Sequence, residues 1–158
     1  MPKSRLDAID VKLLAALQSN ARLSNADLAA RIGLSPSPCL RRVRRLETEG
    51  VIRSYVTLLE PASVGLSVNV FVQVRLERQS EEFLQRFERA VATWPEVMEC
   101  YLMTGDADYH LRVAVGDLPA YEAFLKEKLT RVAGVSNIRS SFALKQVSYR
   151  TDLPIMAT

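Results

Sequence analysis

The sequence predicts an α+β protein with a helical N-terminal part, followed by a part that mixes strands and helices. Apolar residues recur at helical spacing near the N-terminus, and residues 68–77 alternate between apolar and mostly polar side chains. A helix, two strands, a second helix and a last strand are predicted after that alternation. With 48% hydrophobic and 25% charged residues in a chain of 158, the composition is that of a globular protein.

Two helices are predicted before residue 34. The first covers about residues 7–20, and its apolar side chains share one face: Ile9, Leu13, Leu14 and Leu17. The second begins at Ser24, which can cap it, with Asp27 three residues later in the pattern of a capping box. Gly33 is expected to end it.

A third helix is predicted directly after Gly33 and extends over about four turns to Gly50. Ser35 can cap this helix, and Pro36 suits its first position because no N–H is needed there. Its apolar stripe is predicted to consist of Leu40, Val43 and Leu46. Four arginines occupy the remaining surface: Arg41, Arg42, Arg44 and Arg45.

Two helices joined by a tight turn, the second of them cationic, form the arrangement of a DNA-binding helix-turn-helix. A charged helix face is more often simply solvated. Here, however, the charges are arginines without lysine, and arginine favours bidentate contacts to phosphate and guanine. We therefore predict binding to double-stranded DNA. The predicted contact residues are Ser35, Ser37, Pro38, Arg41, Arg42 and Arg45. The three arginines are expected to share the helix face opposite the apolar stripe.

Residues 51–59 are rich in strand-forming side chains and are interpreted as a strand or small wing. The following stretch contains Pro61 and Gly65, which makes it the best candidate for a domain boundary. We expect a DNA-binding domain over residues 1–60 and a second domain over residues 61–158.

The second domain is predicted to have the ferredoxin-like order βαββαβ, in which both helices cover one face of a four-stranded antiparallel sheet. Strands are expected over about residues 68–77, 96–104, 109–115 and 135–149, and helices over 80–94 and 118–132. The other face of the first strand would carry Phe71, Gln73 and Arg75. This face is too polar for a core and too apolar for plain solvent, so pairing of two subunits through the sheet is expected.

The charge is distributed unevenly along the chain. Residues 1–53 contain ten Lys/Arg and five Asp/Glu, whereas the rest contains eleven and thirteen. Only the N-terminal part is therefore expected to contact a polyanion. No apolar run approaches the length of a membrane span, and the N-terminus lacks the apolar core of a signal peptide. We expect a cytoplasmic, nucleoid-associated protein with no membrane partner.

Groups suited to catalysis or metal binding are few. Cys39 and Cys100 lie far apart, and His110 is the single histidine, so neither a metal site nor a disulfide is expected. Asp106 and Asp108 could be paired carboxylates, but Gly-Asp-x-Asp between two strands is more simply a turn. We predict that the protein is not an enzyme and uses no cofactor.

Four segments of the chain resemble the Lrp/AsnC family, the feast/famine regulators of bacteria and archaea, and the resemblance extends over residues 6–155. These segments are residues 6–10, 33–43, 100–109 and 134–135. Residues 98–101 and 140–147 resemble most the branch of leucine-responsive regulators and regulators of branched-chain amino-acid catabolism.

The resemblance implies a winged helix-turn-helix domain and a ferredoxin-like domain that dimerises through its sheet, with dimers assembling to octamers or other even oligomers. It also implies a free amino acid bound between dimers near the Gly-Asp-x-Asp turn. Turn N–H groups could bind its carboxylate and Asp106 or Asp108 its ammonium group, and leucine or another apolar amino acid is expected. The implied effector residues are Tyr101, Thr104, Gly105, Asp106, Asp108, Ser140 and Ser141.

Two alternatives remain open. An oligomer with basic N-terminal domains could act as an effector-independent, nucleoid-associated protein that wraps DNA with little sequence preference. A thiol sensor working through Cys39 is the second alternative. No Arg or Lys lies within two residues before Cys39, and no resolving cysteine is evident.

Overall fold

The structure is a computed structural model that describes residues 6–157. The chain divides into two compact units. One comprises the residues up to Thr57 together with the C-terminal segment from Val147, and the other comprises Leu58–Gln146. The predicted second domain contains all of residues 61–158, so the return of the C-terminal segment to the first unit differs from the prediction.

Three helices form the first unit: α1 (Ala8–Ser19), α2 (Asn25–Ile32) and α3 (Pro36–Thr48). The side chain of Asp7 caps α1 and accepts a hydrogen bond of 2.8 Å from the backbone N–H of Asp10. Ser24 caps α2 by accepting from the N–H of Asp27 at 3.1 Å. Gly33 ends α2 with a left-handed φ of 75°, which turns the chain into α3. The predicted helix-turn-helix order is confirmed.

The core of the first unit lies between these helices. Its fully buried or nearly fully buried residues include Leu13, Leu28, Ala29, Cys39 and Leu46. The predicted apolar stripe of α3 was wrong in one member, because Leu40 is 38% exposed whereas Cys39 is completely buried. A shift of one residue turns a helix face by about 100°. The set of arginines that α3 presents to solvent therefore differs from the predicted one.

The C-terminal segment packs on the first unit at α1. The side-chain amide of Gln18 donates to the backbone carbonyl of Leu153 at 3.1 Å and accepts from its N–H at 2.7 Å. Ile155 packs against the buried cluster of the first unit. These contacts explain why the segment belongs with a domain that lies 135 residues earlier in the chain.

The strand predicted over residues 51–59 does not form in the described chain. Residues 53–60 have no regular secondary structure, and most of their side chains are exposed, including those of Val56 and Leu59. A strand needs a hydrogen-bonded neighbour, and no other described segment pairs with this one. A short 3₁₀ helix, Pro61–Val64, follows.

The second unit contains a four-stranded antiparallel sheet with two helices packed on one face. The chain runs through β1 (Val68–Leu76), α4 (Glu81–Val91), β2 (Val97–Leu102), β3 (Tyr109–Val115), α5 (Leu118–Glu127) and β4 (Val135–Phe142). The strands lie in the order β2-β3-β1-β4. This confirms the predicted ferredoxin-like topology. Inward-facing residues of β1 form its core with side chains from both helices: Val70, Val72, Val74, Phe87, Tyr121 and Phe124.

The largest differences between predicted and observed element lengths in this unit are at α5 and β4. The helix predicted over residues 118–132 ends at Glu127 and is followed by a 3₁₀ turn, Leu129–Arg131. The strand predicted to residue 149 ends at Phe142, which is paired with Val70. Only two residues of β1 remain beyond that pair, so β4 runs out of a neighbouring strand. The apolar side chains that suggested a longer strand, such as Leu144, are exposed.

Candidate DNA interface and effector cavity

The solvent face of α3 carries two arginines at helical spacing. Arg41 and Arg44 are exposed, and Ser37 and Thr48 lie on the same side of the helix. Within residues 6–157, the side chains of these two arginines take part in none of the ion pairs, and Thr48 bonds only to the backbone carbonyl of Arg44. Their guanidinium groups are therefore free to contact an anion such as DNA phosphate.

The other two arginines of α3 turn toward α1. Arg42 Nη1 lies 2.8 Å from Asp10 Oδ1 and 2.7 Å from Asp7 Oδ2. Arg45 Nη2 lies 2.5 Å from Asp10 Oδ2. The side chain of Asp10 is completely buried, and these two arginines supply its counter-charges. The hydrogen bonds that Arg42 donates to Asp7 and Asp10 raise the pKa of Arg42 above its ordinary value.

The structure corrects the reasoning that grouped the predicted DNA contacts. Arg41, Arg42 and Arg45 do not share one face, because Arg42 and Arg45 flank the buried side of α3 and pair with Asp10. Arg44 is absent from the predicted contacts. Placing the buried face at Cys39 instead of Leu40 would have brought Arg44 beside Arg41 on the opposite side.

The N-terminal end of α3 is accessible. Ser35 and Ser37 are exposed and Pro38 is half-buried. In the described chain Ser35 occupies the N-cap position without a side-chain capping hydrogen bond. Its hydroxyl and that of Ser37 are therefore available to a ligand such as phosphate at the positive end of the helix.

In the second unit, Asp108 holds the turn between β2 and β3 against β1. Its side chain is nearly fully buried, and its two oxygens accept hydrogen bonds from the backbone N–H of Leu76 at 2.7 Å and from Gln79 Nε2 at 2.5 Å. The turn itself includes Gly105, whose φ of 115° suits glycine. Both carboxylate oxygens of Asp108 are thus engaged within the subunit.

A cavity of about 700 Å³ opens between this turn and the ends of β1 and β4. Its lining contains both cationic and anionic side chains, including Arg75, Arg139, Glu77 and Asp106. Apolar residues contribute as well, among them Leu76 and Ala107. A cavity with opposite charges and an apolar wall can meet each part of a zwitterionic amino acid.

The structure distributes the other predicted effector residues over several surfaces. Thr104 and Gly105 are exposed in the turn, and Ser141 is exposed on β4. Ser140 faces the helices, where its hydroxyl lies 2.5 Å from that of Tyr121. The hydroxyl of Tyr101 donates to Glu99 Oε2 at 3.1 Å, and this bond raises the pKa of Tyr101. Of the seven predicted effector residues, Asp106 is the one that lines the cavity.

The sheet face opposite the helices is partly exposed and has a mixed composition. Phe71 on β1 is 41% exposed and contacts the edge of His110 on β3, with 6.0 Å between ring centroids. Beside them, Arg112 Nε lies 2.7 Å from Glu99 Oε1. An exposed aromatic ring surrounded by ordered polar pairs is typical of a protein–protein interface.

The described residues contain no group of three or more side chains suited to hold a metal ion. Likewise, none of the helices described is long and apolar enough to cross a membrane.

Comparison with known proteins matches the two parts of the chain to two described domain families. Residues 6–53 match the family described as winged helix-turn-helix DNA-binding, and residues 69–153 match the Lrp/AsnC ligand-binding domain. The chain is 50% identical over 152 residues to the Bkd operon transcriptional regulator of Pseudomonas aeruginosa, covering 96% of this chain and 99% of that protein. It is 42% identical to the leucine-responsive regulatory protein of Escherichia coli, covering 98% and 94% of the two chains.

Solved structures show the same fold. A transcriptional regulator from Neisseria meningitidis, determined as a complex with L-Met, superposes with a TM-score of 0.89 at 42% identity, covering 94% of this chain and 96% of the other. An AsnC family transcriptional regulator from Agrobacterium tumefaciens superposes with a TM-score of 0.89 at 45% identity, covering 94% and 97%. These relatives are regulators, which supports a regulatory rather than an enzymatic role. The chain belongs to the Lrp/AsnC family of DNA-binding transcriptional regulators.

Proposed function

We propose that the protein is a sequence-specific regulator of amino-acid metabolism genes, including branched-chain catabolism, whose DNA binding is modulated by an amino acid bound at subunit interfaces of the second domain. The observation that carries this proposal is the free pair Arg41 and Arg44 on the solvent face of α3. With Ser35, Ser37 and Pro38 at the start of α3, this face forms the DNA contact surface. It acts on DNA in the cytoplasmic nucleoid.

Selection of binding sites from a pool of random duplexes tests the DNA part of the proposal. The full-length protein should enrich a sequence related to a palindrome, since a two-fold dimer places two recognition helices about 34 Å apart. At physiological salt the selected duplex should bind at least roughly a thousandfold more tightly than a random one. A ratio near unity would contradict the proposal and support the DNA-wrapping alternative.

The effector is proposed to bind in the cavity beside the Gly-Asp-x-Asp turn. Arg75 or Arg139 would bind its carboxylate, and Asp106 would bind its ammonium group. Asp108 supports the turn in this proposal, because both of its oxygens already accept hydrogen bonds. The apolar wall of the cavity supports leucine or another apolar amino acid as the effector. Two relatives support the same choice, since one is named a leucine-responsive regulatory protein and the other was solved in complex with L-Met.

A thermal-shift screen of the twenty amino acids tests the effector proposal. L-Leucine, L-methionine or a similar amino acid should raise the melting temperature of the wild-type protein by mass action. Asp106→Asn should abolish the shift. Asp117→Asn is the matched control, since Asp117 caps α5 in the same unit and asparagine preserves a cap. An unchanged shift in Asp106→Asn would place the effector elsewhere.

Subunits are proposed to dimerise through the sheet face that carries Phe71, and the dimers to assemble to octamers. The exposed ring and the paired charges beside it support this choice. Phe71→Glu should therefore reduce the molar mass measured by light scattering at micromolar concentration. Leu118→Glu, at an exposed position of α5 on the helix-covered side, should leave the mass unchanged. Equal masses for both variants would contradict this interface.

A further inference from the structure

Asp10 is an ionisable side chain in the core of the DNA-binding unit. It occupies the face of α1 that also carries Leu13 and Leu14, and its exposure is 0%. A carboxylate at such a position is costly unless hydrogen bonds and counter-charges compensate for lost hydration. Both counter-charges, Arg42 and Arg45, come from α3.

The geometry of these contacts restrains rotation of α3 about its axis. Arg42 bonds to Oδ1 of Asp10 and Arg45 to Oδ2, so the two arginines attach α3 to α1 at two separate atoms. They lie three residues apart on adjacent turns of one side of the helix. A rolling motion of α3 that brought either guanidinium toward DNA would therefore break its bond to the buried carboxylate.

The contacts also limit the positive charge that α3 can offer to DNA. Asp7 and Asp10 together carry two negative charges, and both contact the guanidinium of Arg42. Arg45 additionally lies 4.0 Å from Glu49 on the next turn. Two of the four arginines in this helix are thus neutralised within the unit, whereas Arg41 and Arg44 are not.

We propose that Asp10, assisted by Asp7, is a positioning residue that fixes the rotation of α3 and withholds Arg42 and Arg45 from DNA. The recognition helix then presents Arg41 and Arg44 in a defined orientation. Non-specific attraction to phosphate is weakened, and selectivity for a particular sequence rises because a smaller share of the binding energy is independent of sequence. This inference rests on the proposed role of α3 as the recognition helix.

The first test compares full-length wild type with Asp10→Asn, which removes the charge but preserves the size of the side chain. Affinity is measured for the selected duplex and for a random duplex at several salt concentrations. The ratio of the two affinities should fall by roughly tenfold or more, the equivalent of losing about one base contact. On the random duplex, the slope of log affinity against log salt should steepen by up to about two per subunit.

Asp7→Asn provides a second variant that is expected to fold normally. Asparagine caps a helix as well as aspartate does, so α1 keeps its cap while Arg42 loses its charged partner at Asp7. The salt slope on the random duplex should steepen measurably but by less than in Asp10→Asn, because Arg42 keeps its bond to Asp10. Glu47→Gln is the matched control, because Glu47 is also an acid of this unit, but its oxygen accepts from Tyr55 rather than from an arginine.

A merely structural role for Asp10 predicts a different result. Asp10→Asn would then lower the affinity for both duplexes by the same factor and leave the salt slope unchanged. That outcome, or an unchanged slope in Asp7→Asn, would overturn the proposal. If Asp10→Asn does not fold, the proposal is tested by comparing the salt slope of Asp7→Asn on the random duplex with that of Glu47→Gln. The measurements on the random duplex do not require a specific binding site. A failure of this inference can therefore be distinguished from a failure to select a specific sequence.

Discussion

Asp10 and Asp108 are both buried carboxylates, but they are compensated in different ways. Asp10 in the first unit meets two guanidinium groups of α3. Asp108 in the second unit meets two neutral donors, the N–H of Leu76 and the amide of Gln79. The first carboxylate is compensated by two charged groups in addition to one backbone N–H, that of Asp7, whereas the second is compensated by hydrogen bonds from neutral groups.

This difference determines how far a change at each site should extend. Loss of Asp10 releases positive charge on the helix that is proposed to contact DNA. Loss of Asp108 leaves the surface charge of that helix untouched and removes the attachment of the β2–β3 turn to the end of β1. The effect of losing Asp10 is therefore electrostatic and should change DNA binding, whereas the effect of losing Asp108 should be confined to the turn and its neighbouring cavity.

The largest expected effect on stability follows from Asp10→Ala. The free energy of unfolding should fall by about 3 kcal/mol, the lower end of the range for a broken buried ion pair, because Arg42 and Arg45 keep partial exposure. Urea denaturation followed by far-ultraviolet circular dichroism measures the change. Glu47→Ala, an exposed acid on α3, should cost below about 1 kcal/mol. Equal losses of unfolding free energy in the two variants would show that the buried Asp10 stabilises the fold no more than an exposed acid does.

Asp108→Ala should cost roughly 2 kcal/mol, because the N–H of Leu76 and the amide of Gln79 lose their acceptor in a buried site. Fluorescence of Trp94, which packs on Phe87 in the same unit, reports the unfolding. Affinity for a random duplex should stay at the wild-type value. A change in that affinity as large as the one caused by Asp10→Asn would remove the distinction between the two carboxylates.

Sequence patterns predicted the helices and the βαββαβ order, but they did not identify the role of Asp10. Predictions based on local spacing work where one residue contacts its neighbours in the chain, as Asp7 does at the start of α1. Asp10 has one local partner, the backbone N–H of Asp7, but its two arginine partners lie 32 and 35 residues away. One signal was available, since Asp10 precedes Leu13 and Leu14 by three and four residues and therefore lies on the apolar face.

The same dependence on distant contacts explains two wrong predictions, the strand over residues 51–59 and the extension of the last strand beyond residue 142. Residues 51–59 and residues 143–149 have the composition of strands, but a strand also requires a neighbour, which local composition does not specify. The return of the C-terminal segment depends on Gln18 and Ile155, which are distant in sequence. Side-chain types alone carry no signal for that contact.

A smaller effect on DNA binding and stability should distinguish the exposed arginines of α3 from those that pair with Asp10. Arg44→Ala is expected to weaken binding to the selected duplex by about 1 kcal/mol or more without lowering stability, since Arg44 is exposed. Arg42→Ala should lower stability, because it removes a counter-charge of Asp10. Fluorescence anisotropy and urea denaturation on the same samples measure both quantities. Arg89→Ala, an exposed position of α4, controls for loss of one positive charge. Loss of DNA affinity in Arg42→Ala alone would reverse the assignment of the two faces.

The smallest expected effect is the contribution of Asp7 to the loss of stability at acidic pH. The hydrogen bond from the N–H of Asp10, followed by that from Arg42, holds the pKa of Asp7 below its ordinary value. A carboxyl whose pKa is lower in the folded than in the unfolded chain contributes stability above the unfolded value, and this contribution is lost as the pH falls through the folded value. Wild type should therefore lose this contribution below about pH 4.

Asp7→Asn should lack this component of the acid dependence while keeping the N-cap of α1. Urea midpoints measured at about pH 5 and about pH 3 should differ less for Asp7→Asn than for wild type. Asp152→Asn removes an exposed carboxyl of the same unit and serves as the control. If Asp7→Asn and wild type lose the same stability over this interval, the hydrogen bonds to Asp7 do not favour its ionised form. The contact between Asp7 and Arg42 would then contribute little to the placement of α3.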